Sequence, residues 1–115
     1  MLRYMFITMA ALLMISTTQA DNNFELTNKT GLEITSIQFG PYDTTDQWGA
    51  NVLPASLSDG QSVKLTFVPH TQAEDWDIRV VDSNGEEIIF YMVPVGTIKK
   101  VALRYEDYVP ESDYE

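Results

Sequence analysis

The segment that decides the fold is residues 76–93, WDIRVVDSNGEEIIFYMV. Apolar residues occupy alternate positions from Trp76 to Val80, which is the period of a strand with one buried face. The Asn84-Gly85 pair follows, and it tolerates the positive φ angles that a primed hairpin turn needs. Residues 88–93 are apolar at every position, which predicts a central strand covered on both faces. The segment is therefore predicted to form an antiparallel hairpin.

Strand patterns recur on both sides of this hairpin, with turn signals roughly every ten residues. A change of phase along the second pattern predicts a β-bulge near Thr35-Ser36. No stretch of the mature chain has the period of a helix. The spacing predicts an all-β fold, a small antiparallel β-sandwich of about six to seven strands. The further predicted strands are 24–27, 32–39, a short edge strand at 51–54, 62–68 and 97–105.

The first twenty residues have the three parts of a secretory signal peptide. A positive start at Arg3 precedes an uncharged run from Tyr4 to Ile15, and a small polar segment ends at Ala20, where cleavage is expected. An uncleaved membrane anchor is the alternative, but the apolar run is shorter than the roughly 20 residues that span a bilayer. We therefore expect a periplasmic or secreted protein that does not associate with a membrane after cleavage.

The mature chain divides into a β-sandwich domain, 21–105, and a C-terminal segment, 106–115. The latter reads EDYVPESDYE, with five acidic residues and no basic one. Such a composition is typical of a solvated, flexible tail.

Charge and cysteine content exclude several functions. The chain has 17 acidic and 7 basic residues, and loss of Arg3 with the signal peptide makes the net charge more negative than −10. Nucleic-acid binding requires the opposite sign, and cations or basic proteins are the natural partners. The chain has no cysteine, which excludes thiolate catalysis, disulfides and cysteine metal sites.

The strongest candidate site is the long loop 40–53. Its aromatic and acidic side chains could form a recognition surface, with the tryptophan as an apolar anchor and the carboxylates contacting a basic partner. In the alternative interpretation, Trp48 folds back as a lid on one end of the sandwich and Gly49 permits the turn. The predicted partner-binding residues are Tyr42, Asp43, Asp46 and Trp48.

Calcium binding and catalysis are weaker interpretations. Loops 40–53 and 69–75 could meet at one end of a sandwich and supply oxygen ligands, but the sequence contains no EF-hand and we expect no cofactor. The single histidine, His70, stands in a loop, and no serine has a Gly-x-Ser-x-Gly context. We therefore expect a protein that is not an enzyme. The calcium candidates are Asp43, Asp46 and Asp75, with Glu74, Asp77 and Asp82 as further carboxylates.

Several motifs together resemble a group of small exported bacterial domains of uncharacterised function. They are Asn28-x-Thr30-Gly31, Trp48-Gly49-x-Asn51 and the run from Trp76 to the turn at Asp82-x-x-Gly85. The resemblance covers about 23–105 and implies export and a β fold. A cysteine pair that many relatives carry near Asp75 and Val95 is missing here, and the resemblance implies no activity.

The sequence thus predicts an exported, non-enzymatic binding module with an acidic surface and a basic partner in the cell envelope. Two alternatives stay open. One is a periplasmic inhibitor or immunity-type protein, in which the acidic loop enters the cleft of a basic hydrolase. The other is a calcium-dependent binding module.

Overall fold

The computed structural model describes residues 19–44 and 46–115. The predicted signal peptide, residues 1–20, therefore lies almost wholly outside the described residues. The described part of the chain forms seven strands and no helix, and none of it could cross a membrane as a helix. The strands are β1 (Asn22–Lys29), β2 (Ile34–Pro41), β3 (Ser62–Phe67), β4 (Trp76–Asp82), β5 (Glu87–Val93), β6 (Lys100–Glu106) and β7 (Val109–Tyr114).

The strands form two sheets, which confirms the predicted all-β sandwich. The four-stranded sheet has the order β3-β1-β6-β7, and the three-stranded sheet has the order β2-β4-β5. All pairs are antiparallel except β1 and β6, which run parallel. Alternate residues of β1 to β6 enter the core between the sheets, whereas β7 contributes no buried residue. A chain of edge-to-face aromatic contacts, with centroid distances from 4.8 to 6.0 Å, links Phe24, Phe39, Phe67 and Trp76.

The hairpin predicted at 76–93 is present as β4 and β5. Its turn differs from the expected primed turn, because Gly85 has a positive φ of 83° whereas Asn84 does not. The Asp82 carboxylate accepts hydrogen bonds from the backbone N–H groups of Asn84 and Glu86, both at 2.9 Å, and so fixes a three-residue loop. Such a loop needs the left-handed conformation only at its last residue.

The prediction that 88–93 is a central strand is wrong. β4 is the central strand of its sheet, and β5 lies at the edge. The side chains of Tyr91 and Met92 are 61% and 49% exposed. The apolar character of a side chain does not by itself place it in the core. Tyr91 and Met92 instead face solvent.

The β-bulge predicted near Thr35-Ser36 is confirmed, since the β2–β4 register shifts between Ile34 and Ser36. The predicted edge strand at 51–54 is absent. Instead, this segment contacts the edge of β2 through a side chain, because the Asn51 amide oxygen accepts the N–H of Ile37 at 2.9 Å. The Val52 N–H donates to the Ile37 carbonyl at 2.9 Å. An asparagine side chain here replaces a backbone carbonyl, so no continuous ladder forms.

The prediction of a flexible tail at 106–115 is also wrong, because β7 pairs with β6 over six residues. A tight turn at Asp107 and Tyr108, both with positive φ, reverses the chain. Arg104 on β6 lies 2.8 Å from Glu111 and 2.7 Å from Asp113, both on β7. The acidic composition suggested a tail of mutually repelling carboxylates. In the fold, Arg104 on the neighbouring strand offsets the charge of Glu111 and Asp113.

The buried side chain of Asn28, near the end of β1, holds the segment that connects the two sheets through hydrogen bonds. The Asn28 amide donates to the carbonyls of Leu32 at 2.7 Å and Leu57 at 3.0 Å. Its oxygen accepts the N–H and the hydroxyl of Thr30 at 3.0 and 2.7 Å. Both polar atoms of the side chain are therefore satisfied inside the protein, as the burial of an amide requires.

Candidate functional site

The two long loops meet at the same end of the sandwich, as the sequence suggested. The backbone N–H of Tyr42 donates to the carbonyl of Asp75 at 3.0 Å. A Cβ on Gly49 would lie 3.8 Å from the His70 ring. From this end, residues 42–44 and 46–50 lie back over the outer face of the β2-β4-β5 sheet.

Three contacts hold this loop, defined here as the 42–50 loop, on the sheet. The Gly49 N–H donates to the Phe39 carbonyl at 2.9 Å, and the Gln38 amide donates to the Gly49 carbonyl at 2.9 Å. The Trp48 ring lies directly on Gly40, where a Cβ would come within 2.9 Å of the ring. A glycine is needed at this position for space, because any side chain would meet the indole.

The 42–50 loop and the outward faces of β4 and β5 enclose a cleft of about 450 Å³. Its walls combine aromatic rings with charged groups, and this mixture is typical of ligand sites that orient a polar group. The lining residues are Tyr42, Asp43, Thr44, Trp48, Asp77, Arg79, Glu87, Ile89 and Tyr91.

Arg79 is the basic group in this cleft. Its guanidinium carbon lies 5.6 Å from the centroid of the Trp48 ring, within the range of a cation–π interaction. Its Nε lies 2.5 Å from Glu87 Oε2, yet no hydrogen bond joins the two atoms. The buried Nε–H has no hydrogen-bond partner among the described residues. The guanidinium is therefore held by a cation–π contact and by charge, while its Nε–H makes no hydrogen bond.

Asp77 is a nearly buried carboxylate on the cleft wall, with 3% of its surface exposed. Its Oδ1 accepts the N–H of Met92 at 3.0 Å. Met92 has a positive φ and lies where the β4–β5 register shifts, so Asp77 satisfies a donor at an irregular position of the ladder. Burial raises the pKa of Asp77, and the nearby Asp43 charge adds to this rise, although hydrogen bonds from the Met92 and Asp43 backbones oppose it.

Asp43 stands opposite Asp77 at the start of the 42–50 loop. It has a positive φ of 68°, which asparagine and aspartate tolerate better than most residues. The next residue closes the turn, since the Thr44 hydroxyl donates to the Pro41 carbonyl at 2.6 Å. The turn holds the exposed Asp43 carboxylate at the rim of the cleft.

Three of the four predicted partner-binding residues, Tyr42, Asp43 and Trp48, line this cleft together. Asp46 is exposed and does not line it. Trp48 folds back, but over a sheet face rather than over the end of the sandwich. The other cleft residues include Arg79, Glu87, Ile89 and Tyr91, which the sequence did not predict as site residues. Their strand positions, which alternate with buried residues of β4 and β5, are the signal that they share one outer face.

Of the calcium candidates, Asp43 and Asp77 come close together, but they are two carboxylates only. Among residues 19–44 and 46–115, no group of three or more His, Asp or Glu side chains could hold a metal ion. The Asp82 carboxylate instead caps the hairpin turn. The carbonyl of Asp75 is occupied by the N–H of Tyr42.

Comparisons with known proteins support the fold and leave the function open. No protein-family model and no curated protein matches this chain. Among solved structures, the chain is similar to the NMR structure of a protein from Eubacterium rectale, with a TM-score of 0.52 and 16% sequence identity. The similarity covers 82% of this chain and 87% of that chain. At this identity the similarity shows a shared β architecture alone.

Proposed function

We propose that this chain is an exported, non-enzymatic binding module whose cleft receives a positively charged group of a partner protein. The observation that carries the proposal is the composition of the cleft. Three aromatic side chains surround three carboxylates and a single guanidinium. Aromatic faces attract cations through their quadrupole, and carboxylates form charge-assisted hydrogen bonds with them. The aromatic residues are Tyr42, Trp48 and Tyr91, and the carboxylates are Asp43, Asp77 and Glu87.

The charge around the cleft favours the same kind of ligand. Segments 42–50 and 74–87 contain eight acidic residues and one basic residue, Arg79. Clefts lined by one sign of charge concentrate field lines and raise the association rate of oppositely charged partners. A basic segment of a protein would thus be drawn to this sheet face before any contact forms.

Export supports a partner in the cell envelope or outside the cell, and it rests on the signal-like residues 1–20 and on the resemblance to exported bacterial domains. The inhibitor alternative requires a loop that is free to enter the cleft of an enzyme. The 42–50 loop is instead held on its own sheet by Trp48 and by the bonds of Gly49. The calcium-dependent alternative lacks a ligand set in the described part of the chain.

The proposal can be tested with a fluorescently labelled, capped peptide, Gly-Arg-Gly-Arg-Gly, and residues 21–115, which contain all seven strands. Fluorescence anisotropy at low salt should detect binding that weakens as salt is added. The double variant Asp43→Asn plus Asp77→Asn should weaken binding about tenfold or more, because each lost ion pair contributes roughly 1 kcal/mol.

The matched control is Glu106→Gln plus Asp107→Asn at the β6–β7 turn, which is outside the cleft. It removes the same amount of charge and should change the affinity less than about twofold. Equal losses in both double variants would show that only the net charge matters. Equal binding of Gly-Glu-Gly-Glu-Gly would also contradict the proposal.

A further inference from the structure

We infer that the half of the cleft between Trp48 and Glu87 is a subsite for an arginine side chain, and that the chain's own Arg79 fills this subsite in the free protein. The inference rests on the proposed function, because it specifies which cation the cleft accepts. It also implies that a ligand competes with an internal group for the same contacts.

The position of Arg79 shows that a guanidinium fits this subsite. Its planar group lies over the Trp48 ring at 5.6 Å and beside the Glu87 carboxylate at 2.5 Å. Stacking on an aromatic face together with pairing to a carboxylate is the arrangement that favours arginine over lysine. An ammonium group has no plane to stack, so the subsite is expected to discriminate between the two.

The internal arginine is held incompletely, which makes it displaceable. Its Nε–H forms no hydrogen bond with any described residue. The side chains of Arg79 and Glu87 are 30% and 44% exposed, so water screens their attraction. A ligand guanidinium that approaches from solvent can align its N–H groups with the carboxylate, whereas Arg79 is constrained by its attachment to β4.

Two further carboxylates, those of Asp43 and Asp77, are available to receive Arg79 when it leaves the subsite. Asp77 lies two residues before Arg79 on β4, about 7 Å along the strand and on the same cleft. Asp43 stands at the rim beside it, and the two carboxylates are close enough for Asp43 to raise the pKa of Asp77. Movement of Arg79 toward these two groups would leave Glu87 free to pair with the ligand guanidinium while Arg79 keeps carboxylates beside it.

The first test uses the variants Arg79→Ala and Arg79→Gln of residues 21–115. Removal of the internal competitor should tighten binding of the labelled Gly-Arg-Gly-Arg-Gly peptide about fivefold, and it should tighten binding of an equally labelled Gly-Lys-Gly-Lys-Gly peptide less. The control is Arg104→Ala, since Arg104 is a strand arginine of similar exposure that pairs with carboxylates on the other sheet. This control should leave the affinity unchanged.

The second test follows the melting temperature of Arg79→Ala with added methylguanidinium or methylammonium at equal concentration. Methylguanidinium should raise it by occupying the vacated subsite, because a ligand that binds only the folded state stabilises that state. Methylammonium should not, and neither ion should stabilise Arg104→Ala.

Weaker peptide binding by both Arg79 variants would overturn the inference, because Arg79 would then be a ligand contact. Equal stabilisation by the two ions would overturn it as well. Both results leave the proposed function intact if wild type binds the arginine peptide through Asp43 and Asp77. Failure of wild type to bind any basic peptide would instead refute the proposed function itself.

Discussion

The contact between Trp48 and Gly40 determines whether the cleft exists, and Gly40→Ala is the substitution that breaks it. A Cβ at position 40 would lie 2.9 Å from Trp48 Cε3 and 3.2 Å from Cζ3. Carbon atoms in comfortable contact are about 3.5–4.0 Å apart, so the indole must retreat by roughly 0.6–1 Å. Such overpacking costs about 1–3 kcal/mol. Alanine is itself about 0.5–1 kcal/mol better than glycine within a strand.

The free energy of unfolding is therefore expected to change by less than about 2.5 kcal/mol, while the aromatic wall of the cleft is displaced. Trp48 is partly exposed, whereas the only other tryptophan, Trp76, is fully buried. Fluorescence emission of Gly40→Ala should shift to longer wavelength as the displaced Trp48 ring becomes more exposed to water. Binding of the arginine peptide should weaken at least about fivefold, by loss of roughly 1 kcal/mol of cation–π attraction.

Gly49→Ala is the matched control, because its Cβ would lie 3.5 Å from the nearest atom, the Phe39 carbonyl oxygen, which is an ordinary contact. This variant should keep the wild-type emission and affinity. Wild-type emission and affinity in Gly40→Ala, or an equal loss of affinity in the two variants, would show that the contact between Trp48 and Gly40 does not form the cleft.

Three further predictions concern the surrounding structure. Burial raises the pKa of Asp77, so its ionisation disfavours the folded state and stability falls as pH rises through that pKa; Asp77→Asn should raise the melting temperature at pH 7, and a lower one would contradict this. Asn28→Ala should lower the free energy of unfolding, measured in urea, by about 3 kcal/mol or more, because the buried backbone groups that bond to the Asn28 amide lose their partner. A loss below about 1 kcal/mol would refute this prediction. Tyr108→Gly should raise the melting temperature by about 4–8 °C, since a left-handed residue costs roughly 1 kcal/mol; an unchanged value would show that the turn is not strained.

The sequence was sufficient for the elements whose signals are local. Alternation of apolar residues located five of the seven strands, a continuous apolar run located β5, and the phase change near Thr35-Ser36 located the bulge. The density of aromatic and acidic residues in 40–53 pointed to the loop that supplies four of the cleft residues. These features depend on neighbours within a few positions, which a linear pattern contains.

The errors arose where distant residues decide the outcome. The segment 106–115 looks like a tail until Arg104 is placed opposite its carboxylates. The run 88–93 looks central until its strand is placed at a sheet edge. Gly40 gives no local sign of its role, because the ring that needs the space belongs to Trp48, eight residues away.

The most direct test of the central claim is a map of the binding surface by amide chemical shifts of isotopically labelled residues 21–115, titrated with the Gly-Arg-Gly-Arg-Gly peptide. The cleft account predicts that the largest shifts cluster at 42–48, 77–79 and 87–91, and that they saturate together with one dissociation constant. Shifts concentrated on the acidic β6–β7 hairpin at 104–115, or no saturable shifts at all, would contradict it.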